Sequence, residues 1–115
     1  VVIVVLGQES EEAREVRKDR IREALLEQLR NREADKPHYI DLVDDYMHLW
    51  AVKEFLIADI KRRGTTYQDR SSSGVPMWKN NPSTKEMLGV HRQMLQILKD
   101  LDLTVNKVVV GDGDI

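Results

Sequence analysis

Cysteine is absent from this 115-residue chain. That excludes disulfides, zinc–thiolate sites and a cysteine nucleophile, and makes a reducing, cytosolic compartment the simplest expectation. Aromatic residues are scarce at 5%, so the core has to be built from Leu, Ile, Val and Met. Long hydrophobic runs are missing too. Val1 to Leu6 is six apolar residues, far short of the roughly 20 that a membrane-spanning helix requires. It lacks the basic flank and small-residue cleavage site of a secretory signal. Neither sign of charge dominates: 18 Lys+Arg against 20 Asp+Glu leave a net charge of −2. This argues against a wholly basic nucleic-acid binder without excluding a local basic patch. Finally, there is no G-x-G-x-x-G and no phosphate-binding loop, so ATP hydrolysis by this chain alone is not expected.

What remains is 41% apolar and 33% charged residues, the composition of a globular chain of one-domain length. Val1–Leu6 and Val108–Val110 are β-branched and bounded by Gly7 and Gly111, so both read as short strands or extended arms. Ser10 is placed to cap a helix running to about Arg32, with Glu11, Glu12 and Glu15 at its start and Arg30 and Arg32 at its end, as the helix dipole favours. Its acids recur every four residues beside Arg14, Lys18 and Arg22. Its apolar residues are sparse early (Ala13, Val16) and denser late (Ile21, Leu25, Leu26, Leu29), and it reads as a solvated or subunit-bridging helix, not a core helix. Pro37 restarts the chain into a helix from about His38 to Arg63, stopped by Gly64. Tyr39, Leu42, Val43, Tyr46, Met47, Trp50, Ile57 and Ile60 share its apolar arc, with Asp41, Asp44, Asp45, His48 and Asp59 on the polar side. Residues 64–82 read as two extended arms around the serine-rich tip Ser71–Gly74. Ser83-Thr84-Lys85-Glu86 has the form of a capping box opening a third, amphipathic helix whose apolar face includes Met94 and Leu98. Helices this long in so short a chain bury little of themselves and call for neighbours.

Chemistry-bearing clusters are few. Asp44 and His48, and Asp41 and Asp45, are each four residues apart, so all four can share one helix face. A catalytic metal needs convergent ligands and orienting partners, usually from more than one element. A solvated acidic face is the simpler reading, and a metal-dependent enzyme centred on Asp41, Asp45 and His48 is the competing one. His91 lies within the apolar arc of the third helix and reads as a hydrogen-bonded core or interface histidine. Gly111-Asp112-Gly113-Asp114 lacks the closing glutamate of a calcium loop and reads as an acidic tail. No catalytic residue, cofactor or metal is expected.

Charge is distributed more tellingly than its total. Residues 61–85 hold Lys61, Arg62, Arg63, Arg70, Lys79 and Lys85 against Asp69 alone, whereas residues 34–60 hold two lysines against six carboxylates. The basic stretch carries Tyr67 and Trp78 among its cations, a composition that suits contact with a phosphate backbone. Pairing with the acidic helix of a neighbouring copy suits it equally.

From Tyr39 onward the order of signals resembles the phage terminase small subunit family. The resemblance rests on Tyr39-Ile40-Asp41-Leu42-Val43-Asp44-Asp45-Tyr46, the helix continuing to Gly64, the polar loop, Lys79-Asn80-Asn81-Pro82, and a helix ending in Leu98-Lys99-Asp100-Leu101-Asp102-Leu103. It implies a non-catalytic component of a viral DNA-packaging motor, working in the host cytoplasm. Its expected partners are its own copies in a homo-oligomeric ring, the large terminase subunit and double-stranded viral DNA. Some members carry an N-terminal helix-turn-helix; the long first helix and the link from Asn31 to Pro37 here lack its tight turn.

The expected fold is mainly α: a long helical hairpin plus a third amphipathic helix, with short terminal extended segments, assembled into a ring. Residues 1–33 are expected to form an N-terminal arm and charged helix, 34–104 an oligomerisation core with the basic loop 64–82, and 105–115 an acidic tail. Expected DNA contacts are Lys61, Arg62, Arg63, Arg70, Lys79 and Lys85, with Arg14, Lys18 and Arg22 of the first helix. Expected subunit contacts are Tyr39, Tyr46, Trp50, Ile57, Met94 and Leu98. The alternative function is a helical, protein-only adaptor or regulator without DNA binding.

Overall fold

The computed structural model describes residues 9–105. It contains three helices and a two-stranded ribbon in the order α1 (Glu11–Asn31), α2 (Pro37–Arg63), β1 (Thr66–Arg70), β2 (Pro76–Asn80) and α3 (Pro82–Asp100). The expected terminal strands at 1–6 and 108–110, and the tail beyond them, lie outside the described residues.

Local signals set the helix boundaries. The Ser10 hydroxyl accepts from the Ala13 amide at 3.1 Å and caps α1. Pro37 opens α2, where a missing N–H costs nothing. Gly64 ends α2 at φ +84°, and a Cβ there would stand 3.3 Å from the Thr66 carbonyl, so both backbone angle and space favour glycine. The expected capping box does not form. Asn81 caps α3 instead, its side chain accepting from the Ser83 amide at 3.0 Å, with Pro82 in the first helical position. This places Ser83 inside the helix and frees its hydroxyl for another partner.

α1 and α3 end in the same way. Glu33 and Asp102 adopt left-handed φ values of 54° and 57°. The amides of Ala34 and Leu103 then reach back to the carbonyls of Leu29 and Leu98, each at 2.8 Å. Arg32 ties the two ends together by donating to both the carbonyl and the carboxylate of Asp102.

α2 is the central element. α1 folds back antiparallel onto one flank and α3 onto another. Leu26 and Leu29 of α1, Val43 of α2, and Leu101 and Leu103 after α3 form one buried cluster. Met47, Trp50 and Met94 form the second, with Ile21, Leu25 and Val90 packed around them. The second half of α1 is therefore part of the core, contrary to its reading as a solvated helix; only its first half is charge-dominated. There Arg17 bonds both Glu9 and Glu54, and its guanidinium lies 4.9 Å from the Trp50 ring centroid.

Between α2 and α3 the chain forms an antiparallel ribbon with Tyr67 opposite Lys79 and Gln68 opposite Trp78. Its tip is a turn closed by Gly74 N–H to the Ser71 carbonyl, with Gly74 at φ +85°. The two extended arms expected from the sequence are these strands.

Candidate nucleic-acid interface

The ribbon leaves the bundle where α2 ends and α3 begins. Three side chains fix that junction. Asp59, expected on the polar side of α2, is buried there. It accepts from Arg63 (Nε to Oδ1 2.9 Å, Nη2 to Oδ2 2.7 Å), from Arg62 (2.8 Å) and from the Ser83 hydroxyl (2.7 Å). Asn81, also buried, accepts from Arg63 at 2.9 Å and donates to the Gly64 carbonyl at 3.0 Å. Its amide closes the ribbon against Thr65 at 2.8 Å. A buried carboxylate survives only when its lone pairs are met; here four donors meet them. Chiefly Arg63, then Ser83 and Arg62, hold the Asp59 carboxyl well below the usual carboxylate range, against the opposing effect of burial. The Arg63 guanidinium also lies 4.8 Å from the Tyr67 ring centroid, linking the junction to the first strand.

Side chains alternate along the strands. Tyr67, Asp69, Met77 and Lys79 therefore share the ribbon face that meets Arg63, and Lys79 pairs with Asp69 at 3.0 Å. The N–H of Arg70 and then Lys79 lower the Asp69 pKa, and Asp69 raises that of Lys79. Gln68, Arg70, Pro76 and Trp78 share the other face. Trp78 is 69% exposed there, with Arg70 bonded at 3.1 Å to the Gly74 carbonyl of the tip.

Most of the expected DNA-contact residues thus gather at one end of the molecule. Lys61 and Arg62 are on the last turn of α2, Arg70 and Lys79 on the ribbon and Lys85 on the first turn of α3. They are not equivalent. Arg63 is held within the junction and Lys79 within its ion pair. Lys61 and Lys85 make no ion pair among the described residues, and the Arg62 side chain is 76% exposed despite its bond to Asp59. Arg14, near the start of α1, lines a cavity with Lys61 and Arg62; Arg14 and Lys18 also border a groove with Trp50 and Phe55, and Arg22, further along α1, pairs with Asp44 at 3.0 Å. Of the expected subunit contacts, Trp50 and Met94 are buried inside this chain, and Tyr39, Tyr46, Ile57 and Leu98 are half-buried. His91 is half-buried and hydrogen-bonded, its Nδ1 2.9 Å from Lys53 Nζ. No three His, Asp or Glu side chains converge as metal ligands among the described residues, so Asp41, Asp45 and His48 do not form a cage. No described helix is long and apolar enough to cross a membrane.

A family model described as phage terminase, small subunit, matches residues 20–107. The chain belongs to the phage terminase small subunit family. Searches of curated proteins and of solved structures give no significant match. Membership places this small terminase chain in phage DNA packaging, and the matched region takes in the junction, the ribbon and both of the helices that hold them.

Asp59 is far from Asn81 and Ser83 in the sequence, and the three become a unit only in the fold. Two signals for it were present: Asp59 and Arg63 four residues apart on a helix, and Asn81-Pro82, a good cap followed by a good first helical residue.

Proposed function

We propose that this small terminase subunit is a non-catalytic component of the packaging motor that assembles with copies of itself, contacts double-stranded viral DNA and works with the large terminase subunit in the infected cell. The observation that carries the DNA contact is the protruding ribbon with its basic base. A two-stranded ribbon fits the major groove of B-DNA. Trp78 and Arg70 stand on its open face, and Lys61, Arg62 and Lys85 flank its root. These three cations are the phosphate-facing set, while Arg63 and Asp59 act as positioning residues that fix the angle at which the ribbon leaves the bundle.

The test is a mobility shift on double-stranded DNA with Lys61, Arg62 and Lys85 changed to Glu. Each lost phosphate contact weakens binding across all sequences, so the triple variant is expected to lose at least tenfold in affinity at low salt. Unchanged binding would remove the basic end from the contact, and no binding by the unaltered protein would favour the protein-only adaptor.

A further inference from the structure

Two exposed stripes on different helices match each other in spacing and in charge. On α2, Asp41, Asp45, His48, Val52 and Phe55 are separated by four, three, four and three residues, and all are exposed. They form one continuous strip, acidic in its first half and apolar in its second, where Phe55 is 75% exposed. On α3, Leu88 and Leu95 are seven residues apart and 49% and 50% exposed. Lys85, Arg92 and Lys99 border them at the same seven-residue interval, three before or four after a leucine. Neither the three cations nor Asp41 and Asp45 make an ion pair among the described residues.

We propose that the α2 strip of one copy receives the Leu88–Leu95 strip of the next, with Lys99 on Asp45. The inference rests on the self-assembly proposed above and names the surfaces that carry it. Spacings of three and four set knobs into holes between helices. With the helices antiparallel and Leu88 on Phe55, Lys99 falls level with Asp45. The eleven-residue step from Leu88 to Lys99 and the ten-residue step from Phe55 to Asp45 are about 16.5 and about 15 Å at 1.5 Å per residue, a difference of one residue's rise. The surfaces are different, so the contact is heterologous. Such contacts leave one free surface at each end, and where the rotation between copies closes they form a ring. The basic end at Lys61 and the ribbon takes no part in this contact.

Native mass spectrometry of three proteins tests it: the unaltered chain, Phe55→Asp, and the double variant Leu88→Asp/Leu95→Asp, each checked for helicity by circular dichroism. The unaltered chain is expected to give a discrete oligomer above dimer mass. Each variant alone is expected to be monomeric. Mixed in equal amounts, the variants should form a one-to-one heterodimer, because each keeps the surface the other has lost. Variants that stay fully assembled, or a mixture that stays monomeric beside an assembled unaltered chain, would overturn the pairing but leave self-assembly standing. A monomeric unaltered chain would overturn both. As a check independent of the apolar changes, Lys99→Glu and Asp45→Lys should each weaken the oligomer and together restore it; failure of the pair to restore it would contradict the charge register.

Discussion

Asp59 and Arg63, one helical turn apart on α2, are joined by two parallel hydrogen bonds of 2.9 and 2.7 Å. Asp59 also accepts from Ser83, 24 residues away, at 2.7 Å. This carboxylate locks the ribbon to the bundle. Asp59→Asn keeps the shape and removes the charge. The variant is expected to unfold several degrees lower at pH 7, with faster amide exchange in β1 and β2 than in α1.

The same pair predicts a pH dependence. The folded-state pKa of Asp59 is depressed, so its stabilisation is fully present above the unfolded value of about 3.9 and is lost as pH falls through the folded one. The stability gap between the unaltered chain and Asp59→Asn should be constant from pH 7 to about 5 and narrow below about 4. A gap that narrowed around neutrality would assign the effect to another group. Chemical denaturation at a series of pH values measures it.

Core and surface should respond differently to truncation. Leu29 is buried at the meeting point of α1, α2 and the α3 end, so Leu29→Ala should cost about 2–5 kcal/mol. Val16, exposed on the outer side of α1, should cost within about 0.5 kcal/mol on the same change. Gly64→Ala should cost more than about 1 kcal/mol, because φ +84° strains any side chain there. Thermal or denaturant unfolding distinguishes the three.

The two tryptophans report on separate places. Trp50 is buried between α1, α2 and α3, and Trp78 is exposed on the ribbon. Trp78→Phe should remove the iodide-quenchable, red-shifted part of the emission with little loss of stability. DNA should quench the unaltered chain and leave the emission of Trp78→Phe nearly unchanged.

Much of this architecture was legible in the sequence. Pro37 and Gly64 bound α2 to within a residue, and Ser10 starts α1, because caps and breakers act locally. The two arms of residues 64–82 became a ribbon around the serine-rich tip. What stayed hidden depended on distant packing. Asp59 reads as a surface carboxylate until Ser83 and Asn81 are brought to it. On α3, Met87-Val90-Met94-Ile97-Leu101 and Thr84-Leu88-His91-Leu95-Leu98 have the same three-and-four spacing. Periodicity alone does not tell which seam is turned inward. The fold buries Met94 and leaves Leu88 and Leu95 about half exposed. Trp50 and Met94 therefore serve the chain's own core, and the free apolar surface moves to Phe55, Leu88 and Leu95.

The most direct test of the account is the salt dependence of double-stranded DNA affinity, measured by fluorescence anisotropy for the unaltered chain and for the Lys61→Glu/Arg62→Glu/Lys85→Glu variant. Phosphate contacts release counterions, so log affinity should fall linearly with log salt, and the variant should show both weaker binding and a shallower slope. Binding that is indifferent to salt, or equal slopes for the two proteins, would contradict the assignment of the basic end as the surface that meets DNA.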